Sequence, residues 1–347
     1  MISIGRAGRP QFDTSATAII VTKQEKKEKY ETLLGEETDV ESNLFRSLIE
    51  HLMIEIVLKT VNNINLAIDW IYSTFLFIRI VQNPQYYRSS IAKGDYDGAR
   101  PIILEWCQEQ MQRLQTLGLI TIKGDFFDPT QLARIVTRYS VSIATLEHLI
   151  KWSKISYSLE QLLEEMCCCT ELSQDVILRT TDKRFLNELN KKNRFKYKDR
   201  FRNGSMKTNC LAQAAFESLT IEQCLFDDLQ RIIRSGQRVS KCFMEILVYF
   251  FRQKPETKTD QQPHWLHFQT SISAARLLQA FWTRLWYDSS YVSRQLPKIG
   301  LAFSTILAEN GYTSFNRLLE SNPRQIEFHL KRKPPFGSML IEEVSPI

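Results

Sequence analysis

Apolar residues recur at helical spacing along most of the chain, which predicts a mainly α-helical protein. The first run of this kind predicts one helix that begins at Thr38. Glu41 follows three residues later, which is the spacing of a capping box. Its buried stripe comprises Val40, Leu44, Leu48, Leu52 and Ile56. A second, more apolar run predicts a helix over residues 64–81, ending before Asn83-Pro84 because proline disfavours helical geometry in the residue that precedes it.

A third helix and a short hairpin follow these two helices. Pro101 suits the first turn of a helix, and Gly118 lies where a helix commonly ends. Residues 119–122 and Phe126-Phe127 alternate on either side of the turn Lys123-Gly124-Asp125, as in a β-hairpin. Three helices and a hairpin are the outline of a winged helix, so we predict a winged-helix domain over residues 38–152.

The rest of the chain is again helical in its spacing. A polar interruption near residues 253–264 predicts an insertion within a helical domain over residues 153–290. The last segment, residues 291–347, resembles a helix-hairpin-helix, in which backbone N–H groups at a helix start face a phosphate. Gly300 would be the required glycine and Lys298 a supplementary cation. DNA-backbone contact and purely structural closure are equal alternatives for this unit.

The composition is typical of a globular protein, and the net charge indicates a mild preference for negatively charged partners. The chain has 347 residues, of which 43% are hydrophobic and 24% charged, enough for two or three domains. A net charge of +6 points mildly to a polyanionic partner. His264 and His267 have metal-ligand spacing without an accompanying carboxylate or thiol, so no metal site is predicted. Charged and polar residues within residues 64–81 favour a core helix over a membrane span.

The segment from Lys191 to Lys207 is the strongest nucleic-acid candidate that the residues alone provide. It contains eight basic residues against Asp199 alone, with Phe195, Tyr197 and Phe201 between them. This combines phosphate neutralisation with rings on which bases can stack. A solvated loop whose aromatic rings enter the core is an equal alternative. The predicted nucleic-acid-binding residues are Arg179, Lys191, Lys192, Arg194, Lys196, Tyr197, Lys198, Arg200, Arg202, Lys298 and Gly300.

Two arginines near the start suggest phosphate chemistry. The chain begins with the run Ile4-Gly5-Arg6-Ala7-Gly8-Arg9-Pro10. Arg6 and Arg9, three residues apart, would point from one helix face into one cleft. Arginine suits phosphoryl transfer because its guanidinium forms paired hydrogen bonds to phosphate oxygens.

The run IGRAGRPQFDT, residues 4–14, resembles the last sequence motif of superfamily-two helicases in the Ski-like form, especially that of the meiotic crossover DNA helicases. Further similar blocks follow in that group's order at residues 40–42, 54–57, 70–74, 83–87, 176–179 and 207–214. The resemblance implies that residues 1–37 are a remnant of the second RecA-like α/β domain with a connector, its closing strand at residues 12–22. The winged helix, a ratchet-type helical domain and the helix-hairpin-helix-like unit then follow.

By the same resemblance, Arg6 and Arg9 are catalytic residues that stabilise the γ-phosphate, and Gly5 and Gly8 bind nucleotide. ATP and Mg²⁺ are implied only for a complete motor, because the chain lacks a P-loop and the acidic metal-binding motif. Ile2 stands where the family usually has glutamine. We therefore expect a truncated fragment that is inactive alone and needs the missing upstream RecA-like domains as partners.

The function that the resemblance implies is the C-terminal part of a 3′ to 5′ ATP-dependent DNA helicase of meiotic recombination and crossover formation, acting in the nucleus. Its partners would be single-stranded or branched DNA and recombination proteins, without a membrane. Two alternatives stay open at this point. One is a non-enzymatic nucleic-acid- or protein-binding fragment, and the other is a fragment of an RNA-remodelling, spliceosomal-type Ski-like helicase.

Overall fold

The structure, a computed structural model, describes residues 15, 17–34, 40–87, 91–253 and 268–344. These residues form two compact units. The first comprises the described residues of Met1–Ser47 and Ile71–Ile102, and the second those of Leu48–Trp70 and Ile103–Ile347.

The regular elements are almost all helical. In chain order the described helices are α1 (Lys27–Leu34), α2 (Leu48–Val57), α3 (Ile64–Tyr72), α4 (Phe75–Gln82), α5 (Ala99–Thr116), α6 (Gln131–Tyr139), α7 (Ile143–Ser153), α8 (Leu159–Cys168), α9 (Thr170–Ser173), α10 (Asp182–Lys192), α11 (Gly204–Phe216), α12 (Gln223–Arg252), α13 (Phe268–Thr283), α14 (Leu301–Glu309), α15 (Phe315–Leu319), α16 (Pro323–Leu330) and α17 (Phe336–Val344). The strands β1 (Ile120–Lys123) and β2 (Phe126–Pro129) pair antiparallel, with Ile122 opposite Phe127. The mainly α fold and the hairpin predicted from the sequence are confirmed.

A buried charge cluster organises the first unit. The guanidinium of Arg79 on α4 donates to the Glu41 carboxylate from Nη2 at 2.9 Å and from Nε at 3.2 Å. The Asn83 amide and the Tyr87 hydroxyl donate to the same carboxylate at 2.7 Å and 2.8 Å. The hydrogen bond from Arg79 outweighs the opposing effect of burial and lowers the pKa of Glu41 to about 2.

This cluster corrects the predicted first helix. Thr38 lies outside the described residues, and Glu41 binds Arg79 instead of serving as the third residue of a capping box. Residues 40–43 are not helical, Val40 is 68% exposed, and α2 begins only at Leu48. Leu48, Leu52 and Ile56 are buried as predicted.

The predicted helix over residues 64–81 is broken into α3 and α4. The break lies at Ser73-Thr74, where the Thr74 hydroxyl and backbone N–H both donate to the carbonyl of Ile71. These local hydrogen bonds compete with the helical ladder and end α3. No single helix among the described residues is long and apolar enough to cross a membrane, and α3 and α4 meet that length and composition only as a broken pair.

The expected closing strand at residues 12–22 is also corrected where it can be observed. Residues 17–22 form no strand, and Ile19 and Val21 are highly exposed. A strand needs the backbone of a neighbour for its hydrogen bonds, and the described residues provide none here.

The second unit is built around α12, a helix of 30 residues that packs against α6, α11 and α13. At about 1.5 Å per residue it is roughly 45 Å long. Gly236 lies where α12 meets α13, and a Cβ at this position would overlap the ring of the buried Phe281. The missing side chain therefore allows the two helices to approach closely.

A buried ammonium group connects several helices of the same unit. Lys207 of α11 is fully buried, and its Nζ donates to Asp182 at 2.6 Å, to Asp228 at 2.7 Å and to the carbonyl of Ile177 at 3.0 Å. Burial alone would raise the pKa of Asp182, but its hydrogen bond and attraction to Lys207 lower it below the usual value. Lys207 thus ties the start of α10 and the first half of α12 to α11.

The helices α14 to α17 enclose a cluster of buried apolar side chains. Its members are Leu296, Ile299, Leu307, Tyr312, Leu318, Ile326, Leu330, Leu340 and Val344. Glu327 of α16 is buried beside this cluster and accepts a hydrogen bond from the backbone N–H of Gly337 at 2.9 Å. The carboxylate therefore serves an internal role in the packing of α16 against α17.

We predict that Gly236→Ala lowers the free energy of unfolding by roughly 1 to 2 kcal/mol, because overpacking against Phe281 outweighs the better helix propensity of alanine. Chemical denaturation measures the change. Gly300→Ala is the control, since nothing lies within 4 Å of a Cβ at that position. Its expected effect is about 0.5 kcal/mol or less. Equal effects of the two substitutions would contradict the packing role of Gly236.

We also predict that Glu41→Gln destabilises the protein by about 3 kcal/mol at neutral pH, because Arg79 stays buried without its counter-charge. The pKa of Glu41 is lowered from 4.5 to about 2, so the stabilisation is complete above pH 4.5 and is lost as the pH falls towards about 2. Thermal unfolding of both proteins across this range should show the two curves converging. A difference that is independent of pH would rule out the ionised pair as its source.

Candidate nucleic-acid interface

The basic segment between α10 and α11 has a fixed backbone. The side chain of Gln213 accepts from the N–H of Phe195 at 2.8 Å and donates to its carbonyl at 2.9 Å. Asn190 makes the same two-way contact with Tyr197, at 2.9 Å and 2.8 Å. Because these amides satisfy the backbone groups of Phe195 and Tyr197, the protein itself holds this part of the segment in place.

Its aromatic rings face the protein interior. Phe201 is buried, and Tyr197 packs edge-on against it with ring centroids 5.9 Å apart. Phe195 packs edge-on against Trp286 with centroids 5.7 Å apart. Burial raises the pKa of Tyr197 well above its ordinary value. The rings thus follow the alternative in which they enter the core, and base stacking on them has no support from their placement.

The cations of the segment divide into three groups. Lys207 is in the core, as described above, and Arg194 holds both carboxylate oxygens of Asp288 at 2.7 Å while lying over the ring of Trp286. Arg202 approaches Asp199 at 3.8 Å, a distance that allows only a weak, exposed pair. The remaining cations are exposed and have no ion-pair partner in the described part of the chain: Lys191, Lys192, Lys196, Lys198 and Arg200.

A cleft of about 610 Å³ lies beside this segment. Its lining includes Lys196, Lys198 and Arg202 as well as Glu160, Glu164 and Asp199. The mixed charge does not favour a polyanion inside the cleft. Lys196 and Lys198 are also exposed to solvent, and the exposed Arg200 does not belong to the lining.

A second basic face lies on α12 and was missed by the sequence analysis. It consists of Arg231, Arg234, Arg238 and Lys241, which follow one another at i, i+3, i+7 and i+10 and therefore share one side of the helix. In the described structure, none of the three arginines has an ion-pair partner. The ammonium of Lys241 lies 5.5 Å from the ring of Trp282, which is half exposed.

The sequence contained the signal for this α12 basic face. Its positions interleave with buried apolar residues at helical spacing, so a long amphipathic helix with cations on its solvent side could have been read from the pattern. The dense basic run at residues 191–207 was a more conspicuous feature, although two of its cations are engaged internally.

The predicted helix-hairpin-helix residues lie at the start of α14. Gly300 is the N-cap residue with φ −86° and ψ −179°, a conformation that any residue adopts, and a Cβ would meet no atom within 4 Å. The fold therefore does not require glycine there, contrary to the sequence prediction. Lys298 has a left-handed backbone conformation, φ 67°, and is exposed. Arg179 is exposed, and its backbone N–H donates to Asp182 at 3.0 Å.

The predicted nucleotide-site residues Gly5, Arg6, Gly8 and Arg9 lie outside the described residues. Within the described ranges, no group of three or more histidine, cysteine, aspartate or glutamate side chains could hold a metal ion.

Comparison with known families gives two matches along the chain. Residues 129–335, more than half of the chain, match the Sec63 Brl domain. Residues 41–99 match a winged helix-turn-helix domain. The two matches occur in the order that the sequence predicts for a winged helix followed by a helical domain.

Individual relatives are similar over almost the whole chain. The probable ATP-dependent DNA helicase HFM1 of Mus musculus is 38% identical over 351 residues, covering 99% of this chain and 23% of the relative. The ATP-dependent DNA helicase homolog MER3 of Arabidopsis thaliana is 32% identical over 359 residues, covering 99% of this chain and 30% of the relative. The U5 small nuclear ribonucleoprotein 200 kDa helicase of Drosophila melanogaster is 29% identical over 302 residues, covering 85% of this chain and 13% of the relative.

The chain thus spans between about a quarter and a third of the length of its DNA-helicase relatives. The resemblance to the Ski-like DNA helicases is confirmed, and the chain belongs to the Sec63 Brl domain family.

Proposed function

We propose that this chain is the part of an ATP-dependent DNA helicase of meiotic recombination and crossover formation that holds single-stranded DNA, in the nucleus. The observation that carries the proposal is the α12 basic face, whose cations are aligned on one helix and not neutralised within the described residues. The DNA-helicase relatives, similar over the whole chain, support the choice of DNA as the ligand.

The geometry of α12 fits a polyanionic strand. Ten residues separate Arg231 from Lys241, which at about 1.5 Å per residue places the cations along roughly 15 Å of helix. Arginine and lysine on such a line neutralise successive phosphates and release their counterions, which is the main source of sequence-independent affinity. Trp282, beside Lys241, provides a ring on which one base can stack.

The exposed cations of the basic segment add a second group of phosphate contacts within the same unit. Lys196, Lys198 and Arg200 are displayed by a backbone that Gln213 and Asn190 hold in place. A pre-formed site loses less conformational entropy on binding, so these contacts cost less than those of a flexible loop. Arg194 is excluded from this role because Asp288 neutralises it.

The nucleotide chemistry belongs to the complete motor in this proposal. ATP and Mg²⁺ would bind to RecA-like domains outside this chain, and Arg6 and Arg9 would reach the γ-phosphate when those domains close. An arginine that stabilises developing charge in phosphoryl transfer contributes a large factor to the hydrolysis rate. Polarity from 3′ to 5′ and recombination proteins as partners are further parts of the proposal.

The DNA-holding role predicts that alanine at Arg231, Arg234 and Arg238 together weakens the binding of the full chain to labelled oligothymidine. Three lost phosphate contacts should reduce the salt slope of log K by ~2. Alanine at Lys196, Lys198, Arg200 and Arg202 should also reduce the slope. Fluorescence anisotropy across a salt series measures both.

The matched control removes the same charge elsewhere, with alanine at Lys93, Arg100 and Lys123, all exposed. It should change the affinity little, because these cations are not on either basic face. If the control and the arginine variant lose affinity equally, net charge and not the α12 basic face is responsible. Competition between oligothymidine and oligouridine of equal length tests the spliceosomal-type alternative, which predicts preference for the RNA.

In a full-length helicase that contains this chain, alanine at Arg6 or Arg9 should leave ATP binding largely intact and reduce hydrolysis by about a thousandfold or more. DNA-stimulated phosphate release measures hydrolysis, and a labelled nucleotide analogue measures binding. Normal turnover in both variants would show that neither arginine is a finger. The DNA-holding role of α12 would be unaffected by that result.

A further inference from the structure

The most exposed ring on the C-terminal helices is that of Phe328 on α16, which is 80% exposed. The ring is not isolated: it lies edge-on to His329 with centroids 5.8 Å apart, and His329 lies 6.0 Å from Tyr312, which is in the buried cluster. A chain of ring contacts therefore supports Phe328 from the core outward.

Exposed cations precede and follow this ring in the sequence. Arg324 precedes it by one helical turn, and Lys331 follows at the C-cap, with Lys333 two residues beyond. All three are exposed, and none has an ion-pair partner in the part of the chain that is described. Lys331 at the C-terminal end of α16 also interacts favourably with the negative end of the helix dipole. That interaction does not account for Arg324, which lies in the first turn, or for the exposure of the Phe328 ring.

The other two charged residues within residues 324–333, Glu327 and Arg332, make contacts within the protein. Glu327 is buried and accepts from the backbone N–H of Gly337, so it does not neutralise the exposed side. The guanidinium of Arg332 lies over the rings of Phe303 and Phe336, at 4.9 Å and 5.7 Å from their centroids. The exposed surface of α16 and the residues after it therefore carries one exposed aromatic ring and three cations without ion-pair partners among the described residues.

We infer that Phe328, with Arg324, Lys331 and Lys333, forms a stacking site for one base of single-stranded DNA, separate from the α12 basic face and from the Lys298-Gly300 turn. The exposed cations favour a polyanionic ligand. The exposed ring in the same stretch favours a polyanion whose phosphates alternate with flat bases, as in single-stranded DNA. This inference rests on the proposed function, because it takes DNA as the ligand.

The test compares two substitutions at Phe328 in the full chain. Phe328→Leu keeps an apolar side chain but removes the π face, and Phe328→Trp keeps the π face. We expect the leucine variant to bind oligothymidine roughly fivefold to a hundredfold more weakly and the tryptophan variant to bind like the wild type. An oligonucleotide that contains 2-aminopurine reports stacking directly, since the quenching of its fluorescence should be reduced by leucine and kept by tryptophan.

Phe126→Leu is the control, because Phe126 is also exposed but lies on β2, outside α12 and the C-terminal helices. It should leave the affinity unchanged. The inference is overturned if Phe328→Leu binds oligothymidine as Phe126→Leu does, or if Phe328→Trp weakens binding as much as Phe328→Leu, because the π face would then not carry the contact. If the arginine variant of α12 still weakens binding in that case, the proposed function stands and only the stacking site is wrong.

Discussion

The buried ammonium of Lys207 is the interaction on which the second unit depends. Removing a lysine from water is unfavourable unless its donors are fully used, and here two carboxylates and one carbonyl accept from it. The acceptors belong to α10, α12 and the chain before α10, while the lysine belongs to α11. One group therefore connects the start of α10, the helix that leads into the basic segment, with α11, in which the segment ends, and joins both to the helix that carries the α12 basic face.

This constraint also explains why a run of eight cations does not act as a uniform basic patch. The fold uses Lys207 for its core and Arg194 for the pair with Asp288, and it turns Phe201 inward. Only the cations that the packing does not need are displayed. The side-chain amides of Gln213 and Asn190 then hold the backbone of the segment at Phe195 and Tyr197.

The sequence was a good guide wherever local periodicity decides the structure. The helices of the domain predicted over residues 153–290 and the β1–β2 hairpin with its glycine turn could be predicted from spacing and turn chemistry alone. The helix predicted over residues 64–81 failed for a local reason, the hydrogen bonds of Thr74 to Ile71. Two other failures involve partners that are distant in the chain. Glu41 was assigned to a capping box because its partner Arg79, 38 residues away, is invisible to local pattern. Likewise, which of the cations at residues 191–207 remain free depends on Asp182, Asp228 and Asp288.

The chemistry of the exposed groups determines which parts of a DNA strand they could contact. On the α12 basic face and the basic segment, the available groups are ammonium and guanidinium ions, whose contacts with phosphates carry no sequence information. In the proposed DNA-holding role, the rings of Trp282 and Phe328 would add stacking, which accepts any base because every base has a π face. A helicase that moves along DNA would have to release each base as readily as the next, and a surface that reads base edges would hold it at preferred sequences. Sequence-tolerant contacts on rigid helices therefore suit a holding element better than specific ones would.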